Sequence, residues 1–320
     1  MNLSKLAQIA NVSVSTVSKA FSDSKEISEQ TKEMILNVAK EYGCYDKYYK
    51  PKYQKKLIAV ICPEMLGIHY TQMATYLNNE ITSHGGTMLL SVFDFSPSKE
   101  QELIDYYTRF SNADGIIVIE PTGVIKNSSD IPIVQIGNDN ESKNVDCVKV
   151  DANEAIDDAI RYLKSKGYKS FGFIGEKYAK QEYDYFLNGL KRNYILANQS
   201  YIEISENRFY DAGYYTMDKF IKNKNIPDVI FGAYSHITVG IMQRLKEEGL
   251  CIPKDVSIMS MDDITSVPYS DIKMSCIKMH LDEVCATALD LLFQKIEKKH
   301  IKAKRTLTIT RQFLKGETIK

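Results

Sequence analysis

The sequence predicts a two-part protein: a small all-α head, followed by an α/β body of parallel sheets with helices on both faces. Three observations predict it. Residues 1–46 carry three short helical periods and no strand pattern. From Leu57 the texture changes to short apolar runs alternating with helical stretches. That alternation completes one round by Val150 and then begins another, so the body reads as two lobes. Strands alternating with helices imply parallel sheets covered on both sides, and 320 residues are enough for two or three folding units.

In the head (1–46), Asn2 is a suitable N-cap for an apolar stripe of Leu3, Leu6, Ala7 and Ala10. Ser13 stands before a second stripe of Val14, Val17, Ala20 and Phe21. A third runs from Ser28 through Thr31, Met34, Ile35, Val38 and Tyr42 to Gly43, a good helix terminator. Ala7 is small where two helices must cross. Asn11, four residues on, sits where the turn wants a left-handed backbone. Val17, ten residues after Ala7, plugs the angle between the helices. This spacing describes a helix-turn-helix whose second helix can enter a major groove, although an ordinary three-helix lobe also satisfies it. The outer side of that helix, with Ser15, Thr16, Ser18 and Lys19, offers hydroxyls and an ammonium to base edges and phosphates.

The wording of the segment separates the two readings. Val12-Ser13-Val14-Ser15-Thr16-Val17-Ser18-Lys19, followed by Ile27-Ser28-Glu29-Gln30-Thr31, closely resembles the DNA-binding head of the lactose-repressor (LacI) family of bacterial regulators. The resemblance implies base readout by Val14, Ser15 and Lys19, with Val14 limited to apolar contact such as a thymine methyl. Asn2, Thr16 and Ser18 complete the expected DNA-facing set. The linker, 47–56, contains five lysines and no acid. Family members form a hinge helix here, with an Ala-Arg-x-Leu pattern that pushes a leucine into the minor groove. The matching residues are Lys50-Pro51-Lys52-Tyr53, and Pro51 opposes a helix at that point. Lys52 then serves phosphates and Tyr53 a wedge between base steps; a solvated basic tether fits equally well.

The body's strand runs are 57–62, 87–93, 115–119, 133–137 and 145–150, then 170–175, 201–205, 229–233 and 256–261. A ligand belongs at their carboxyl ends, in the cleft between the lobes. The family resemblance continues through Ala113-Asp114-Gly115-Ile116-Ile117, Gly167-Tyr168 with Phe171-Gly172-Phe173-Ile174-Gly175, and Ile252-Pro253-Lys254-Asp255-Val256-Ser257. It implies a periplasmic-binding-protein-like pair of lobes within 57–316, joined by three crossovers near Val150-Asp151, Met279-His280 and Ile301. The first lobe would hold 57–150 and 281–300, and the second 151–278 and 303–316.

His69 and Tyr70 follow the first strand, Asp94 the second, and Asp262-Asp263 the last. In sugar-binding relatives the first aspartate of that final pair accepts hydrogen bonds from ligand hydroxyls, which makes Asp262 the leading effector residue. Helix capping is the alternative use of both aspartates. Other family ligand positions have changed. An Asp after the fourth strand is Gly137, an Arg before the helical Gly189 is Phe186, an Asn-Asp pair is Tyr234-Ser235, and an aromatic at the first crossover is Val150. Phe186, Tyr183 and Tyr234 then offer flat faces, and the expected effector is a glycoside or a flatter molecule rather than a plain hexose. The same aromatics can equally serve to pack the lobes.

Composition narrows the field further. Lys plus Arg balance Asp plus Glu at 41 each, yet residues 1–56 hold ten lysines against six acids, as a polyanion-binding end would. The first six residues lack a secretory h-region, and the run 57–62 is far too short to cross a bilayer. Six scattered cysteines without a Cys-x-x-Cys pair suit a reducing compartment, hence the cytoplasm. No Gly-x-Ser-x-Gly elbow, Walker loop or His-x-x-x-His pair is present, so no enzyme, metal or cofactor is expected. The expectation is a homodimeric regulator, chiefly a repressor, that binds pseudo-palindromic double-stranded operator DNA and a small effector. A regulator controlled by a partner protein and a solute-binding protein are the alternatives.

Overall fold

A computed structural model describes residues 2–22, 24–48, 56–263, 272–298, 301 and 303–320. The chain divides into two compact units, Met1–Lys56 and Leu57–Lys320.

The first unit contains helices α1 (Leu3–Ile9), α2 (Val14–Phe21) and α3 (Glu29–Glu41), then the single turn α4 (Tyr45–Tyr48). Each of the first three starts on a side chain that satisfies an orphan amide, as helix ends require. Asn2 Oδ1 accepts from Lys5 N at 2.9 Å, Ser13 Oγ from Thr16 N at 3.0 Å, and Ser28 Oγ from Thr31 N at 3.2 Å. Asn11 takes a φ of 52°, the left-handed turn that its short polar side chain tolerates. Ala7, Val17 and Ala20 are buried between the helices beside Leu6, Phe21 and Ile35. The helix α4 lies partly within the segment read as linker, and Pro51, Lys52 and Tyr53 fall outside the described residues.

The second unit is built on two six-stranded sheets. The first sheet takes β1 (Leu57–Cys62), β2 (Thr87–Val92), β3 (Gly115–Ile119), β4 (Ile133–Ile136) and β5 (Val145–Asp151) in the order β5-β4-β3-β1-β2, all parallel. Ile58, Val60 and Cys62 face helix α5 (Ile68–Ser83), while Ala59 and Ile61 face α6 (Pro97–Arg109), the two-residue alternation of a strand buried on both sides. The second sheet takes β6 (Phe171–Glu176), β7 (Ile202–Ser205), β8 (Val229–Gly232) and β9 (Ser257–Ser260) in the order β9-β8-β6-β7. It is covered by α7 (Asn153–Ser165) packed on α8 (Lys180–Arg192), and by α9 (Phe209–Lys222) packed on α10 (Ser235–Glu247).

The remaining strands and helix show how the lobes are tied. β10 (Ser275–Lys278) extends the second sheet, and α11 (Leu281–Glu297) returns to cover the first beside α5. β11 (Thr306–Thr310) then pairs in parallel with β5, and β12 (Gln312–Leu314) pairs antiparallel with β10. The chain therefore crosses at Asp151-Ala152, at Met279-His280 and at Arg311. The third crossing lies ten residues beyond the sequence expectation near Ile301, and 306–310 belongs to the first lobe rather than the second. The second lobe also runs past residue 316, because Thr318 O accepts from Ile258 N at 2.9 Å and Ile319 is buried.

Charge is buried where α11 meets β5. Asp146, fully enclosed, is held by Lys295 Nζ at 2.6 Å, by Arg305 Nη2 at 3.0 Å and by Arg305 N at 2.9 Å. Among the described residues no helix is long and apolar enough to cross a membrane.

The α9–α10 contact turns on two glycines. A Cβ on Gly213 would strike the carbonyl of Ile237, and one on Gly240 the carbonyl of Tyr210. Backbone cannot yield as a side-chain tip does, so overpacking is costly here. Gly240→Ala is expected to lower the unfolding free energy by roughly 1–3 kcal/mol, read by urea denaturation; an unchanged midpoint would show that the helices separate freely.

Candidate functional site

Two surfaces carry chemistry, one in each unit. On the head, α2 buries Val17, Ala20 and Phe21 and turns Val14, Ser15 and Ser18 outward, with Thr16 and Lys19 half-buried. Val14 is 45% exposed. Ser15 Oγ and Thr16 Oγ1 both lie 2.7 Å from Ser13 Oγ, so the N-terminal turn presents a tied row of hydroxyls. Lys19 is ion-paired to Glu26 at 2.5 Å, which holds that carboxyl below its usual range. Asn2 spends its side-chain oxygen on the α1 cap.

In the body, the carboxyl ends of both sheets face a cavity of about 310 Å³, within the size range of small-molecule sites. His69, Tyr70, Tyr234, Ser235 and Asp262 line it together, although they come from both lobes. Three other expected residues do not. Phe186 is wholly buried, 5.3 Å from the rings of both Phe173 and Phe231, because it shares the inner stripe of α8 with Gly189 and Leu190. Tyr183 leans on Phe173 at 5.5 Å in that same core. Asp94 points to solvent and pairs with Lys99 at 2.6 Å; its neighbour Phe95 lines the cavity instead.

The cavity floor is charged. Glu120, just after β3, accepts from Tyr70 Oη at 2.5 Å and lies 3.4 Å from His69 Nε2. Burial alone would raise its pKa, but His69, Tyr70 and Arg311 outweigh that and leave it lowered. Burial would likewise depress His69, yet the Glu120 carboxylate prevails and raises it. Arg311, on the third crossover, donates from Nη1 to Met261 O at 3.0 Å and stands 3.5 Å from Glu182. Its Nε is buried without a partner. Asp262 accepts from Ser260 Oγ at 2.8 Å; burial raises its pKa and that of Glu182. The loss of charged groups inferred from Gly137 and Phe186 is thus made good by Glu120, Glu182 and Arg311. Gly137 has a φ of 126°, a backbone that L side chains rarely adopt, and lies against the Glu120 backbone.

Also on the cavity's lining, Arg208 meets Glu64, Glu176 and the rings of Phe95, Tyr178 and Phe209. None of these was singled out from the sequence, although Glu64, Glu120 and Glu176 stand at or just after strand ends, as His69 does. Backbone strain marks the same place: Asp94, Phe95, Glu120 and Phe209 all have φ between 45° and 55°, unusual for non-glycine residues and often found at functional sites. Among the described residues no group of three or more His, Cys, Asp or Glu could hold a metal ion.

Comparison with known proteins draws on both units. Residues 2–45 match the family model for bacterial regulatory proteins of the lacI family, and residues 160–319 that for a periplasmic binding protein-like domain. Catabolite control protein A of Staphylococcus epidermidis is 25% identical over 329 aligned positions, covering 98% of either chain. Two solved structures share the fold. A lac repressor dimer bound to operator and the anti-inducer ONPF superposes with a TM-score of 0.75 at 17% identity, covering 99% of this chain and 98% of that one. A complex of the transcriptional regulator CelR with cellobiose gives 0.68 at 16% identity, with 99% of each chain covered.

Two outcomes follow from the geometry. The raised His69 pKa means that the folded state favours imidazolium, so its contribution to stability is full below the unfolded value of about 6.5 and is lost as pH rises through the folded one. His69→Gln should flatten that part of the profile in thermal melts between about pH 5.5 and pH 8.5; an unaltered profile would remove His69 from the account. On the head, Lys19→Ala should weaken DNA binding and reduce the salt slope by about one, whereas Glu26→Gln, which releases Lys19, should strengthen it. Equal slopes for all three proteins in anisotropy titrations would exclude a phosphate contact by Lys19.

Proposed function

The chain belongs to the LacI family of bacterial regulatory proteins, and on that premise we propose that a small polyhydroxylated ligand in the body cleft sets how tightly a homodimer of heads holds its operator. The DNA-binding and transcription-regulating role is that of the family. The head reads a half-site through Val14, Ser15 and Lys19 in the major groove, with Thr16 and Ser18 on the backbone. One helix-turn-helix spans only a half-site, so two copies on a pseudo-palindrome make the functional unit, acting as a repressor in the cytoplasm. The work is that of a binding switch rather than a catalyst.

The cavity floor carries the ligand assignment. Glu182 and Asp262 offer carboxylate acceptors, and Arg311 its guanidinium, on the lining of one cavity. Acceptors and a donor converging on one small space match hydroxyls on adjacent carbons, each of which donates once and accepts once. A sugar or glycoside meets that demand; a flat apolar molecule would desolvate both carboxylates without adding a hydrogen bond to either, at about 1–3 kcal/mol each. Closure of the lobes on such a ligand favours one arrangement of the body, and a population shift of this kind is what reaches the DNA.

Thermal melts against glucose, galactose, cellobiose, methyl glucosides and non-sugar metabolites test this. A matched sugar at about 100 times its Kd should stabilise the protein by ~2.7 kcal/mol. Asp262→Asn should weaken that sugar by about tenfold or more. A panel in which no sugar shifts the melt, while a protein partner is recovered that changes operator affinity, would overturn the small-ligand reading.

A further inference from the structure

The two lobes are bridged across the cleft by the protein's own side chains. Arg208, at the N-terminal end of α9 in the second lobe, reaches Glu64 just beyond β1 in the first. Its Nη1 donates to Glu64 Oε2 at 2.7 Å and its Nη2 to Oε1 at 3.1 Å, the two-pronged geometry in which guanidinium and carboxylate fit best. Nη2 also stands 3.5 Å from Glu176 Oε1, on its own lobe. The Glu64 side chain is 9% exposed and that of Glu176 1%, so two nearly dry carboxylates share one cation.

Rings complete the bridge. The guanidinium carbon lies 4.4 Å from the Phe209 ring centroid, 4.7 Å from that of Tyr178 and 5.8 Å from that of Phe95. Phe95 belongs to the first lobe and Tyr178 to the second, and their rings stack at 3.9 Å with an 11° tilt. Tyr234 ties the second-lobe half together: its hydroxyl donates to Glu176 at 3.2 Å and accepts from Phe209 N at 3.3 Å. Phe95 and Phe209 both sit in left-handed backbone, at φ of 55° and 54°, a cost borne where their rings meet the guanidinium.

We propose that Arg208 is a lobe-to-lobe latch, a positioning residue that holds the cleft shut through Glu64 and the Phe95–Tyr178 stack without help from a ligand. Separating the lobes would strand Glu64 with no cation and leave Glu176 to Arg208 alone. It would also expose both faces of the ring stack. A ligand is admitted more readily while the latch is open and held longer once it has closed. The latch sets the fraction of molecules that accept a ligand and how long the ligand stays. It rests on contacts within the body and stands whatever the ligand is.

Pulsed electron–electron distance measurement on the full chain, without ligand, tests it. Spin labels at Lys126→Cys in the first lobe and Lys180→Cys in the second, in a Cys251→Ser background, lie on exposed positions outside the latch. With Arg208 intact a single short distance should dominate. Arg208→Ala and Glu64→Gln should each enlarge the longer-distance population roughly severalfold, Arg208→Lys should fall between, and the double variant should add little to the larger single effect. If Arg208→Ala fails to fold, Glu64→Gln, which keeps the side chain's size, is read in its place. Distance distributions identical to the parent in a cooperatively folded Arg208→Ala or Glu64→Gln protein would overturn the latch.

Discussion

Parallel pairing constrains everything in the body. A parallel strand can be followed by its neighbour only after the chain has crossed back over the sheet, so successive strands all finish at the same edge. In both lobes that edge is the one facing the cleft. Residues at or just after strand ends are delivered there without any further instruction: Glu64 after β1, Phe95 after β2, Glu120 after β3, Glu176 in β6, Tyr234 after β8 and Asp262 after β9. The three crossovers add His280 and Arg311 from the hinge side. The cavity is therefore a by-product of sheet topology, and its chemistry depends on which residue occupies each terminal position.

Much of this was legible in the sequence because the buried strands are nearly continuous apolar runs and the head's helices are punctuated by good caps. The position of the third crossover was not. β11 reads Thr-Leu-Thr-Ile-Thr and lies at a sheet edge with most of its residues exposed, so it has no apolar run and no buried periodicity to betray it. Phe186 stayed open for a different reason. Alignment with a ligand-binding arginine suggests the cleft and the ring's apolarity suggests packing, and on the inner stripe of α8 the ring gains more by joining Phe173 and Phe231. Arg208 carried no signal at all, since its partner Glu64 is 144 positions away and neither sits in a recognisable phrase.

The cleft's electrostatics are held in balance by pairing. His69 supports Glu120, Arg311 supports Glu182, and Arg208 serves Glu64 and Glu176. Asp262, by contrast, has no cation in contact among the described residues; burial outweighs the Ser260 hydroxyl, the more distant charge of His69 and the Ser235 hydroxyl, and raises its pKa. A site arranged in this way has a polar, net acidic interior with two carboxyls, Asp262 and Glu182, of raised basicity, a setting that favours hydrogen bonding to a neutral ligand over capture of an anion.

The joint between α11 and β5 has a consequence for how the protein is made. Asp146 finds its cations at Lys295 and Arg305, and the first sheet obtains its outermost strand from residues 306–310. During synthesis the first five strands emerge early with α5 and α6, but the face that α5 shares with α11 is completed only when residue 297 has been added. The nascent chain thus carries a half-covered apolar face through most of translation while the second lobe forms behind it. Chains released early would expose that face and an uncompensated buried aspartate, which makes premature termination a route to aggregation rather than to a smaller stable protein.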